Sequence, residues 1–147
     1  LQQVHEWTRE NIMQVPAEER LIVTNHEAMT YFNEEYHVTQ VGSIIPSWDD
    51  NAEPSAAQLE SLVQAIEDND VKAIFTEQQL APDTAEAIAE QTGAKVYSGD
   101  QGLYTDALGP AGSTGETYLG AHIHNVTQLM DAWGYPLIEA PAELVQQ

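Results

Sequence analysis

The chain has 147 residues, 42% of them hydrophobic and none of them cysteine, which fits one globular domain and excludes disulfides, thiolate metal sites and cysteine nucleophiles. Its 24 Asp and Glu stand against four basic residues, a net charge of −20 that excludes nucleic acid as a partner, because neutralising phosphate needs a basic surface. No apolar run approaches the roughly 20 residues of a membrane span. The acidity itself supports two readings, adaptation to a salt-rich habitat or a surface that gathers cations.

Residues 1–15 are predicted to be a helix, with Leu1, Val4, Ile12 and Val15 on one side and Pro16 as its stop. The segment LIVT (21–24) is a first strand, followed by a helix from about His26 to Tyr36 with Asn25 or Thr24 as its cap. VTQVGSII (38–45) is a second strand by its β-branched content, and PSWDDNAEPS (46–55) a loop. Ser55 caps the next helix, in which Leu59, Leu62, Val63 and Ile66 keep the spacing of a buried face. VKAIFTE (71–77) is a third strand, Pro82 to Thr92 a helix ending at Gly93, and AKVYS (94–98) a fourth strand. A long glycine-rich loop (99–116) leads to a last helix from Glu116 or Thr117 to Trp133, with a short edge element or tail after it. Strands alternating with helices imply a parallel sheet, here a four-stranded Rossmann-like α/β layer with helices on both faces.

Several motifs fail on spacing. His26-Glu27 lacks the second histidine of a zinc protease motif, since position 30 is Thr. GPAGSTGETY lacks the Gly-Lys-Ser/Thr ending of a phosphate loop, and neither a G-x-G-x-x-G nor a G-x-S-x-G is present. Asp49, Asp50, Asn51 and Glu53 are oxygen-rich without the spacing of a calcium loop.

Open parallel sheets bind ligands beyond the carboxyl ends of their strands. His26 follows the first strand, Asp49, Asp50 and Glu53 the second, Glu77 the third, and Asp106 lies in the loop past the fourth. An imidazole with carboxylates suits a divalent first-row cation. Spacing alone leaves open a helix-start histidine at 26, a turn residue at 106, and a helix cap or a partner for a basic side chain at 77.

The blocks RLIVTNHEAMTYF (20–32), AEPS (52–55), VKAIFTE (71–77), TGAKVY (92–97), LYTDALG (103–109) and TYLGAHIHNV (117–126) occur in an order that resembles one family. It is the family of metal-binding lipoproteins and periplasmic receptors of zinc and manganese ABC transporters. The resemblance implies two α/β lobes joined by a long rigid helix, with the metal between them. On that pattern, residues 1–15 are the end of the interlobe helix and 16–147 the C-terminal lobe, while the N-terminal lobe, which usually supplies two histidines, is outside this chain. It implies His26 and Asp106 as the remaining metal ligands and Glu53 and Glu77 as groups supporting the site or the lobes. Histidine at position 26 implies zinc, or a site shared by zinc and manganese. His124 and Asn125 are expected to be structural, and His5, His37 and His122 to lie on the surface.

The expected function is extracytoplasmic capture of the metal, in the periplasm or as a lipoprotein on the outer face of the membrane, and delivery to an ABC permease without catalysis. Half a site implies weak binding by the single chain, and the lobe face makes a homodimer plausible. Three alternatives are a receiver-like domain, a metal-dependent hydrolase half using Glu27 or Glu77 as base, and a surface-adhesion module.

Overall fold

The computed structural model describes residues 2–24, 29–44, 55–76, 83–105 and 107–145. Strands β1 (Leu21–Thr24), β2 (Thr39–Ser43), β3 (Ala73–Phe75) and β4 (Lys95–Tyr97) form one sheet in the order β2-β1-β3-β4. Every pairing is parallel, and at the centre Val23 and Thr24 of β1 stand opposite Ile74 and Phe75 of β3. The helices are α1 (Gln2–Ile12), α2 (Thr30–Tyr36), α3 (Ala56–Asn69), α4 (Asp83–Thr92), α5 (Tyr118–Trp133) and a short α6 (Ala142–Val145).

Successive strand residues face opposite ways, and that alternation builds two cores. Ile22, Ala73, Phe75 and Tyr97 pack with Trp7 and Ile12 of α1 and with Val126, Leu129 and Met130 of α5. Val23 and Ile74 pack on the other face with Leu62 and Ile66 of α3 and Ala85 and Ile88 of α4. Ile22, Val23, Ile74 and Phe75 are wholly buried, each worth about 1.5–3 kcal/mol of burial. Covering on both faces is why these strands read as unbroken apolar runs.

Local signals fix most element ends. Ser55 closes a capping box: its hydroxyl accepts from Gln58 N, and the Gln58 side chain accepts from Ser55 N. Thr117, one of the two expected first residues of the last helix, is instead its cap: its side chain accepts from Gly120 N at the start of α5. At the other end Gly134, with φ of 79°, turns left-handed, and Gly134 N and Tyr135 N both donate to Met130 O.

Two expectations are corrected. The first helix ends at Ile12 rather than Val15; Gln14 N and Val15 N donate three residues back, to Asn11 O and Ile12 O, and tighten the chain into a turn. Helix α2 begins at Thr30, not near His26, with Met29 at its cap position. Thr24 is held in the sheet, where its carbonyl accepts from Ile44 N, while Asn25 lies outside the described residues. The C-terminal stretch, expected as a short edge element or a tail, forms no strand among its described residues. It straps α1, with Trp7 Nε1 donating to Ile138 O at 2.6 Å and Ile138 N donating to Asn11 Oδ1 at 2.8 Å.

Candidate functional site

The sheet order reverses between β1 and β3, which makes their carboxyl ends the switch point where such sheets take ligands. His26, Glu53, Glu77 and Asp106, with Asp49 and Asp50, lie outside the described residues. The positions flanking them are described. Thr24 ends β1 two residues before His26, Thr76 directly precedes Glu77, and Thr105 and Ala107 bracket Asp106.

The segment leading to Asp106 is pinned at each step. Leu103 N donates to Thr76 O at 3.1 Å, and Thr76 N donates to Tyr97 O at 2.9 Å, so this segment continues the hydrogen bonding of the sheet. Tyr104 N donates to Asn125 Oδ1 at 2.9 Å, and Asn125 Nδ2 donates to Tyr104 O at 2.7 Å. His124 holds both sides of the loop. Its Nε2 donates to Gly102 O at 2.8 Å, and in the neutral ring Nδ1 accepts from Thr114 Oγ1 at 2.9 Å. The Tyr104 ring meets the edge of the His124 ring at 4.9 Å and lies against Gly115, where any added Cβ would collide with it. The structural roles expected of His124 and Asn125 are therefore specific ones: they frame the loop that carries Asp106.

Beside this frame runs a groove of about 440 Å³ lined by Met29, Tyr31, Phe32, Tyr104, Thr105, Ala107, Leu108, Tyr118, Ala121, His122 and Asn125. Its described lining carries no Lys, Arg, Asp or Glu. Tyr31, Tyr118 and Leu108 are exposed on its rim. The side-chain oxygen of Thr105, next to Asp106, is buried without a hydrogen-bond partner among the described residues.

His122 departs from its expected place on the surface. It is half-buried, its ring lies 5.8 Å from Phe32, and its Nε2 is 2.8 Å from Thr8 Oγ1. Burial, with a smaller contribution from His5, holds it below the usual histidine range, so the ring stays neutral to lower pH. The signal available in the sequence was its spacing of three from Asn125 and four from Val126, both on the inward side of α5. His5 is also partly covered, with Nδ1 3.1 Å from the Tyr36 hydroxyl and Nε2 3.7 Å from Glu35. His37 is exposed, as expected, and closes α2 in a left-handed conformation with φ of 56°.

Among the described residues, no group of three or more His, Asp or Glu is placed to hold a metal ion.

Residues 1–132 match the family model described as "Zinc-uptake complex component A periplasmic". The manganese-binding lipoprotein MntA of Bacillus subtilis is 30% identical over 135 residues, covering 90% of this chain and 43% of its own length. The zinc-binding protein TroA of Treponema pallidum is 29% identical over 134 residues, with the same shares of each chain. In its solved structure, TroA superposes with a TM-score of 0.74 and 27% identity, covering 90% of this chain and 49% of that one. A manganese-bound periplasmic metal-binding protein from Candidatus Liberibacter asiaticus shares the fold, with a TM-score of 0.77 at 21% identity. The chain thus spans about half the length of the relatives it matches.

Proposed function

The chain belongs to the family of periplasmic zinc-uptake component A proteins, and from that premise we propose that it is the C-terminal lobe of an extracytoplasmic receptor for zinc or manganese. In this reading, residues 1–15 are the end of a helix running to a second lobe. His26 supplies a neutral imidazole and Asp106 a carboxylate, and the second lobe or a second copy of the chain supplies the remaining donors. The metal is cargo: it is held, not used for turnover, and passed to the permease of an ABC transporter.

What supports the reading is one coincidence of sequence and fold. The family match runs almost the length of the chain. The strands after which His26 and Glu77 follow are the two at the switch point, and a hydrogen-bonded frame holds Leu103 and Tyr104, three and two positions before Asp106. A nitrogen and an anionic oxygen together suit zinc, and carboxylate with water suits manganese. Glu53 and Glu77 would support the ligands or the contact between lobes. Two ligands leave the other coordination positions to water, so the isolated lobe binds weakly. A net charge of −20 raises the local concentration of cations around it.

The test is calorimetric titration of zinc and of manganese into the chain, beside His26→Ala and Asp106→Ala, at matched high salt. Weak, saturable zinc uptake that either substitution abolishes is expected. Uptake unchanged in both variants would mean that diffuse carboxylates hold the metal, and the assignment of these two ligands would fail.

A further inference from the structure

Arg20 is a buried cation, only 8% exposed. Its backbone is fixed, because Arg20 O accepts from Thr39 N at 2.8 Å just before β1 begins. Its guanidinium reaches back to the turn that follows α1. There Nε donates to Val15 O at 2.8 Å, and Nη2 donates to Met13 Sδ at 3.7 Å. A guanidinium has five N–H donors, and a thioether is a weak acceptor. Among the described residues no carboxylate pairs with Arg20, in a chain with 24 acidic side chains. A buried cation held this way gains from any stronger acceptor brought to it. Met13 is 42% exposed, whereas the other two methionines, Met29 and Met130, are 8% and 0% exposed.

We propose that Met13 is a modification site: a hydroperoxide oxidises its thioether to the sulfoxide, and the Arg20 guanidinium receives the new oxygen. The sulfur attacks the outer oxygen of the peroxide, so that an S–O bond forms as the O–O bond breaks. The proton passes to the departing oxygen, which leaves as water or an alcohol. Sulfur loses two electrons and the peroxide gains them. Exposure selects Met13 among the three methionines. Sulfoxide usually harms a fold, because it puts a polar group among apolar ones. Here the product is a strong acceptor beside a cation whose remaining donors have no protein acceptor among the described residues. The three rotatable bonds of methionine let the oxygen turn toward Nη2. Oxidation therefore tightens the joint between α1 and β1, since Arg20 then grips both position 13 and Val15 O. This site is independent of the metal-receptor reading.

The experiment treats the full chain with dilute hydrogen peroxide, locates the added oxygen by peptide mass spectrometry, and compares Tm before and after. It uses the wild type, Met13→Leu, and Arg20→Leu, which removes every guanidinium donor. The wild type is expected to take oxygen at Met13 before Met29 and Met130, and its Tm to rise by about 2–4 °C. Met13→Leu should keep its Tm under the same treatment, and Arg20→Leu should be oxidised at Met13 without the rise. Oxidation of Met29 or Met130 ahead of Met13 overturns the inference. So does a wild-type Tm that stays level or falls, or a rise that Met13→Leu or Arg20→Leu shares. If Arg20→Leu does not fold, Met13→Gln decides the point, because its amide oxygen offers Arg20 a permanent acceptor. Its Tm should match or exceed that of the wild type, with Met13→Leu below both; the reverse order overturns the inference.

Discussion

The side-chain amide of Asn125 closes two hydrogen bonds on one residue, accepting from Tyr104 N and donating to Tyr104 O, and so fixes the backbone two positions before Asp106. Both bonds are partly buried. Asn125→Ala leaves a peptide N–H and a carbonyl without their partner, at about 1–3 kcal/mol for an unsatisfied buried group. The expected outcome is a loss of that size in urea melts, together with weaker zinc binding by calorimetry. Zinc binding that survives the stability loss unchanged would remove Asn125 from the site's framework.

Ser55 supplies the matching control. It caps α3, which packs on the opposite face of the sheet from α5. Ser55→Ala removes half of the capping box and is expected to cost about 1 kcal/mol. Urea melts should record that loss, and the zinc isotherm should stay where it was. If Ser55→Ala weakens zinc binding as much as Asn125→Ala does, global stability rather than local framing sets the affinity.

Two glycines in the loop before α5 separate sterics from backbone strain. A Cβ at Gly115 would meet the Tyr104 ring, whereas a Cβ at Gly112 meets open space but sits at φ of 85°. Gly112→Ala is therefore expected to cost about 1 kcal/mol through its left-handed backbone and to leave zinc uptake alone. Gly115→Ala must push the Tyr104 ring aside and is expected to lower zinc affinity, with a changed near-UV signal from the tyrosine. Equal zinc isotherms for the two variants would detach the ring's position from the proposed metal site.

The fold was legible wherever one local rule acted alone. Four short apolar runs separated by amphipathic stretches identified the parallel sheet, and Ser55 and Gly93 marked helix ends that sequence spells out. Legibility failed where tertiary contact overrode local preference. Thr24 looked like a helix cap but its carbonyl was taken by Ile44 N, a partner twenty residues away. His122 looked like a surface residue because its cover comes from Thr8 and Phe32, on helices distant in the chain. The strand-end rule located the candidate ligands in sequence. Their frame, Asn125 and His124 gripping Tyr104, Gly102 and Thr114, needed side-chain positions that no spacing supplies.

Tyr97 contributes to the response to alkali, as Tyr36 and Tyr135 do, both also raised above the ordinary tyrosine value by burial first. Burial, then its hydrogen bond to Asp131 at 2.7 Å and the charge of that carboxylate, raise its pKa well above the ordinary value of 10.0. The folded state thus keeps a proton that the unfolded chain gives up. Its contribution is fully present below pH 10 and is lost as pH rises from there toward the folded value. Tyr97→Phe removes the titrating group, so the variant's stability should fall less steeply above pH 10 than the wild type's in urea melts. Parallel curves would show that this tyrosine titrates alike in both states.

Salt should stabilise this lobe, and the form of the dependence identifies the cause. Of the four basic side chains, Arg20 is buried against Val15 O. Among the described residues, Lys72 lies 3.8 Å from Glu19, and Lys95 lies 4.0 Å from Asp131 and 4.7 Å over the Tyr97 ring, both lysines being more than half exposed. The remaining carboxylates repel one another across a surface with little to offset them. Screening shortens the range of that repulsion from about 30 Å at 0.01 M salt to about 3 Å at 1 M. Raising sodium chloride over that interval is expected to raise Tm steeply at first and then level off. Sodium sulfate at matched ionic strength should follow the same early rise and continue upward, because excluded salts favour burial by a separate effect. A Tm that stays flat in chloride and climbs only in sulfate would mean that self-repulsion costs this fold little, and that its acidity serves the cation rather than the solvent.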